Sequence, residues 1–243
     1  MSNTNGYDFS SKKKSIKELL DTPEYREYKS KKQKIQKRRE TTYKFTSIGN
    51  STDVIKYLII INTIIFIISY YFIPSLIDKG AIYNISSPDF QPYQIITSMF
   101  LHGSIIHLLG NMLALWFTGN FIDKTISSKK FLILYFLSGI SSSILCMFLS
   151  PVPAIGASGA ISGAMIALLF LAPESKIFLF FAIPMKVKFF LYGFAAFSLV
   201  FGLLSMINPS LGFGIAHFGH LGGLIGGYLI MLYWKNKKQI HTY

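Results

Sequence analysis

Residues 54–74 read VIKYLIIINTIIFIISYYFIP, an apolar run interrupted by a single charge, Lys56, close to its start. A helix of about 20 such residues crosses the roughly 30 Å hydrocarbon layer of a bilayer, whereas a helix in a soluble core needs only one apolar stripe. Outward from this stretch the pattern repeats. Further apolar runs occupy approximately 95–119, 131–150, 157–172, 187–207 and 215–234, the fourth of them short. Pro74, Pro151, Pro153, Pro173, Pro184 and Pro209 fall in or beside the connections between runs, where a helix must stop. The whole chain is 51% hydrophobic and 14% charged, which places it with membrane proteins. The sequence thus predicts an all-α membrane protein with a six-helix transmembrane bundle over residues 51–238.

The chain carries 24 Lys and Arg against 11 Asp and Glu, a formal charge of +13. Where the cations sit decides what they mean. Thirteen lie between Lys12 and Lys44, and most others fall at the ends of apolar runs, as do Lys124, Lys129, Lys130, Lys235, Lys237 and Lys238. Basic residues concentrate in cytoplasmic connections. With the amino terminus inside, Lys79 is the one cation in an outer segment, so both termini are predicted to be cytoplasmic. Residues 1–50 then form a basic cytoplasmic tail and 239–243 a short second one. The first tail lacks the basic, apolar and small-residue order of a signal peptide. Its stretch from Ser15 to Glu40 reads either as a charged helix on the inner leaflet or as a disordered arm. Aromatic interleaving suited to base stacking is absent, so the expected partner of the charge is the lipid bilayer and not nucleic acid. Richness in Ile, Lys and Ser suggests an AT-rich genome and a bacterial inner membrane.

Ionisable groups inside a membrane are costly and mark candidate sites. Here they are four histidines: His102, His107, His217 and His220. Beyond residue 90 the only carboxylates are Asp123 and Glu174, both expected in cytoplasmic loops. Carboxylate proton relays, aspartyl dyads and the His/Glu sets of zinc hydrolases all need an acid in the membrane, and none is available. Zinc held by several histidines is the remaining metal alternative, but the spacings do not match, so neither metal nor cofactor is expected. The single cysteine, Cys146, excludes an internal disulfide.

The predicted topology sends the second, fourth and sixth runs inward from the outer face. His102, His107 and Asn111 then lie near the outer end of the second, Gly156, Ala157, Ser158 and Gly159 at the start of the fourth, and His217 and His220 in the first turns of the sixth. Three clusters distant in sequence share one depth. A serine hydroxyl attacking a carbonyl needs a base for its proton and donors for the resulting oxyanion. A helix amino terminus offers free N–H groups and the positive end of its dipole. The same four residues also read as a plain helix start with small packing residues. Gly222 with Gly226 and Gly223 with Gly227, facing Gly159 with Gly163 and Ala160 with Ala164, would let the sixth and fourth helices meet closely enough to join an imidazole to Ser158. Either His220 or His217 suits that base. His107 and Asn111, four residues apart, share a helical face and can both donate. His102 reads as a support at the rim of the site, bonding loop backbone.

These residues resemble the rhomboid proteases. The resemblance rests on His102, His107 and Asn111 within TSMFLHGSIIHLLGNMLALW, on Gly156 to Gly159 within GASGAISGA, and on His220 within AHFGHLGGLIGG, over about residues 54–234. It implies a rhomboid-like bundle, an intramembrane serine endopeptidase that cleaves transmembrane segments of other proteins. Ser158 would be the nucleophile and His220 the base, with His107, Asn111 and the Ser158 N–H holding the oxyanion. His102, Gly156, Gly159, Gly222 and Gly223 would support the site. A non-catalytic relative that binds client helices is the alternative. Two departures stand out: Tyr93-Gln94 replaces a Trp-Arg pair common in the family, and Ser162 replaces an aromatic often found four residues after the nucleophile.

Overall fold

The computed structural model describes residues 20–46, 53–179 and 183–240. It divides into two compact units, Met1–Lys44 and Phe45–Tyr243. The basic segment forms α1, Pro23–Thr46, with proline in its first turn and Glu24 beside the positive helix end. Thr22 caps its start, accepting the Tyr25 N–H on Oγ1 at 3.3 Å. An i,i+4 pair between Lys31 and Glu27 at 2.7 Å supports the exposed surface. The earlier part of the Ser15–Glu40 stretch lies outside the described residues.

The second unit is almost entirely helical. The helix α2, Asp53–Phe72, ends in a π-helical turn ahead of Pro74. After it come α3, Ser75–Gly80, and α4, Gln94–Thr97, which runs into a 3-10 turn at Ser98–Phe100. The helices α5, Ile105–Ile126, and α6, Ser128–Leu149, follow in close succession. The shorter α7, Ser158–Leu171, leads to a hairpin of β1, Lys176–Leu179, and β2, Ile183–Lys186. Next is α8, Val187–Ile207, then a 3-10 turn at Pro209–Gly212, and last α9, His217–Asn236. Among the described residues α2, α5, α6 and α8 are long and apolar enough to cross a membrane. The glycines and two histidines of α9 make it less apolar than these four.

Three boundaries differ from the sequence reading. The second apolar run is not one helix from near 95: after α4 and the 3-10 turn it breaks, and the long helix begins at Ile105, because Leu101 is extended (φ −89°, ψ 146°) and Ser104 takes the cap, its Oγ accepting the His107 N–H at 3.1 Å. Asp123 is not in a loop. The helix continues past it to Ile126, and Asp123 is buried. Ser127, with φ 93°, makes the whole break before α6 begins. In the third case the connection around 174–188 holds an antiparallel ribbon pairing Lys176 with Lys186 and Leu179 with Ile183. Glu174 closes its base, accepting from Lys188 Nζ at 2.6 Å and Lys186 Nζ at 2.9 Å.

The core that positions the site is where α6, α7 and α9 meet. A Cβ built on Gly223 would lie 2.0 Å from the Gly159 carbonyl oxygen, and one on Gly227 would lie 2.6 Å from the Gly163 Cα. No real side chain fits there, so α7 and α9 touch backbone to backbone. The other glycine pair of α9 faces α6. Gly222 lies against the Ser141 carbonyl and Ser142 Cα, Gly226 lies against Ser141 Cβ, and Ser141 Oγ donates to the Gly222 carbonyl at 2.8 Å. Large side chains, among them Phe131, Leu134, Tyr135 and Met231, fill the remaining interior.

Candidate functional site

Ser158 is the first residue of α7. The chain reaches it through Gly156, whose φ of +122° is one that side-chain-bearing residues rarely adopt, and whose N–H donates to the Ser98 carbonyl at 2.8 Å. The approach is fixed further back by Ala154, which exchanges two backbone hydrogen bonds with Ile82 at 2.9 and 3.0 Å. Thus the serine sits at a helix start whose first N–H groups have no partner from a preceding turn.

His220 lies in the first turn of α9, and its Nε2 is 3.0 Å from Ser158 Oγ. The close seat of Gly223 on Gly159 brings these two side chains into bonding range. His217 goes elsewhere. Its Nε2–H donates to the Gly212 carbonyl at 3.1 Å, and its ring packs against both Phe197 and Phe201 of α8, at centroid distances of 5.6 and 5.8 Å. Among the described residues no histidine forms an ion pair with a carboxylate.

His107 is in the first turn of α5. The Gly103 N–H points to its Nδ1 at 3.5 Å, a long contact that leaves the ring proton on Nε2. That Nε2 faces Gly156: a Cβ built there would be 2.8 Å away, with Asn111 Nδ2 at 3.8 Å. Asn111 donates one amide hydrogen to the His107 carbonyl at 2.9 Å and keeps a second. His102 packs edge-on against His107 with centroids 5.0 Å apart, fully buried instead of at a rim. The predicted residues His102, His107, Asn111, Gly156, Ser158, Gly159, His220 and Gly223 therefore gather where α5, α7 and α9 begin, whereas Gly222 faces Ser141 and Ser142 of α6.

Some contributors escaped the sequence reading. Behind Ser158 is a cavity lined by Ser98, Ser142, Ser143, Cys146 and Gly159, with about 20 Å³ open to the centre of a water molecule. That is room for a water among polar partners. The run Ser141-Ser142-Ser143 within an otherwise apolar span was its signal. Gln94, at one of the family departures, is buried and ties together the loop that follows α3. It donates to the Lys79 and Asp89 carbonyls at 3.1 and 2.8 Å and accepts the Gln91 N–H at 3.0 Å. Phe194 of α8 has its ring 5.1 Å from that of His220.

The class that fold and site define is an integral membrane protein with a serine and a histidine paired between two helix starts. Residues 89–237 match the family model described as the Rhomboid domain, so the chain belongs to the rhomboid family. It is 36% identical over 139 residues to the rhomboid protease GluP of Bacillus subtilis (strain 168), covering 56% of this chain and 25% of that protein. It is 29% identical over 161 residues to rhomboid-like protease 3 of Toxoplasma gondii, covering 65% of this chain and 57% of the relative. With the rhomboid protease GlpG of Yersinia pestis (strain Pestoides F) it shares 30% identity over 168 residues, covering 66% and 54%. The chain thus spans between a quarter and somewhat over half of these curated relatives.

Proposed function

We propose that this chain is an active intramembrane serine endopeptidase that cleaves transmembrane segments of other membrane proteins. One observation carries the reading: the 3.0 Å contact between His220 Nε2 and Ser158 Oγ at the start of α7. On this mechanism Ser158 Oγ gives its proton to His220 Nε2 as it attacks the scissile carbonyl carbon. The oxyanion is taken up by the His107 Nε2–H, the free amide hydrogen of Asn111 and the Ser158 N–H. His220 then passes the proton to the leaving amine, and a water from the cavity behind Ser158 hydrolyses the acyl-enzyme. With no orienting acid beside it among the described residues, the histidine depends on packing for its alignment.

The same proposal includes the topology. Counting α7 and α9 with the four longer apolar helices gives six spans over residues 51–238, with the basic tail 1–50 and the tail 239–243 in the cytoplasm of a bacterial inner membrane. The 14 residues of α7 reach only about 21 Å of the roughly 30 Å hydrocarbon depth, so with its far end at the inner surface Ser158 lies about 9 Å below the outer one. The substrate is then a helix unwound near the outer leaflet. Partners are transmembrane substrates and lipid, with no nucleic acid, metal or cofactor.

The test is labelling of the detergent-purified protein with a fluorophosphonate, which reacts only with an activated serine. Wild type is expected to label, Ser158→Ala not at all, and His220→Ala at least about 100-fold more slowly. A folded wild type that stays unlabelled would replace this reading with that of a rhomboid-like binder of client helices.

A further inference from the structure

We propose that Phe194, on α8, is a positioning residue for His220, supplying across the helix interface the aromatic face that Ser162 does not provide. The inference rests on the dyad proposed above. His220 makes one side-chain hydrogen bond, to Ser158. A ring held by a single bond can swivel about its Cβ–Cγ axis, which would carry Nε2 away from the hydroxyl. Something must therefore pack against the imidazole faces.

The one ring of α7, Phe170, lies at its far end against Tyr228. Ser162 stands one turn beyond Ser158, buried, with its Oγ donating to the Ser158 carbonyl at 2.7 Å. From α8, Phe194 approaches the imidazole at a centroid distance of 5.1 Å and an interplanar angle of 35°, within the range of favourable aromatic packing. His217, at 6.3 Å and 86°, meets it only edge-on. Phe194 is itself held: Phe190, one turn earlier, stacks on it at 5.9 Å and 11°. Two phenylalanines at i and i+4 thus form a brace whose outer member fixes the inner one, and the inner one limits the swivel of His220. The brace comes from α8, so the order of the histidine depends on α8 remaining seated on α9, which a ring from α7 would not require.

The experiment uses the full chain in nanodiscs with Phe194→Leu, which keeps an apolar side chain but removes the ring, and Phe194→Tyr, which keeps it. Two readouts are taken on each: the fluorophosphonate labelling rate, and the His220 Cε1–H resonance of 13C-histidine-labelled protein, identified by its loss in His220→Ala. Phe194→Leu is expected to label about tenfold more slowly through lost alignment, with an unchanged melting temperature, while Phe194→Tyr stays near wild type. The His220 resonance is expected to shift and broaden in the leucine variant alone. Wild-type labelling by Phe194→Leu, equal losses in both variants, or a His220 resonance unaltered by leucine would each overturn the proposal. Should wild type fail to label, the catalytic reading falls, and the resonance alone still decides whether the brace exists.

Discussion

At the scale of single residues, the two histidines of α9, either of which suited the base by sequence, take different partners. Three positions on a helix turn a side chain through about 300°, which leaves His217 and His220 only about 60° apart, so helix periodicity alone does not choose between them. The structure aims His220 at the serine and His217 at the Gly212 carbonyl. In the labelling assay His217→Ala is therefore expected to keep a rate within about tenfold of wild type, whereas His220→Ala falls by about 100-fold or more. An inactive but folded His217→Ala would return the base assignment to His217. Ser158, His107, Asn111 and His220 were legible because polar groups in apolar runs are conspicuous. Phe194 was not, being one of 22 phenylalanines, and only its spacing with Phe190, Phe197 and Phe201 along one helix marks it. The role of Gln94 was equally hidden, since its bonds to backbone groups of Gln91, Asp89 and Lys79 follow no regular spacing that a sequence would show.

At the scale of elements, glycine spacing announced the close approach of α7 and α9 but not the division of faces, with Gly223 and Gly227 on α7 and Gly222 and Gly226 on α6. Gly223→Ala would set a methyl 2.0 Å from a backbone oxygen, which no side-chain rotation relieves. The helices must part, at a cost of about 1–3 kcal/mol, and His220 moves from Ser158 with them. Gly193→Ala, where nothing lies within 4 Å, is the control and should be neutral or slightly stabilising. Melting and labelling of both variants check this, and normal labelling of Gly223→Ala would contradict the backbone contact. The ribbon β1–β2 escaped notice because Pro184 marked the stretch as a connection; in a two-stranded ribbon proline can take an outward position. Hydrogen bonds from Lys188 and then Lys186 hold the Glu174 carboxyl down at about 2, from an ordinary 4.5. Depression of a carboxyl means that the clamp is fully present above pH 4.5 and is lost as pH falls toward 2, so it should persist at pH 3–4. An NMR titration of the Glu174 carboxyl should find its midpoint near 2 in wild type, moving toward 4.5 in Lys186→Gln/Lys188→Gln. A wild-type midpoint at 4.5 would show the clamp open.

At the scale of the whole molecule, the helix count came from apolar length and the handedness of insertion from charge, two signals that do not depend on each other. Apolar length misjudged the start of α5, because residues 95–104 are apolar enough for a helix yet are folded into α4, a 3-10 turn and an extended stretch by contacts that hydropathy does not encode. Charge gives a cleaner forecast. Of the 24 basic residues, 23 lie on one side of the proposed topology, and Lys79 lies alone on the other. Transferring so many cations across a bilayer is unfavourable, so the orientation should be single. In a Cys146→Ala background, Lys79→Cys and Lys237→Cys separate the two faces without touching the site. A membrane-impermeant maleimide is expected to label Lys79→Cys in intact cells and Lys237→Cys only after permeabilisation. The reverse pattern would put the starts of α7 and α9 on the cytoplasmic side. Ser158 would then meet substrates from the inner leaflet, and the basic α1 would lie on the same side of the membrane as Lys237, away from the cytoplasm.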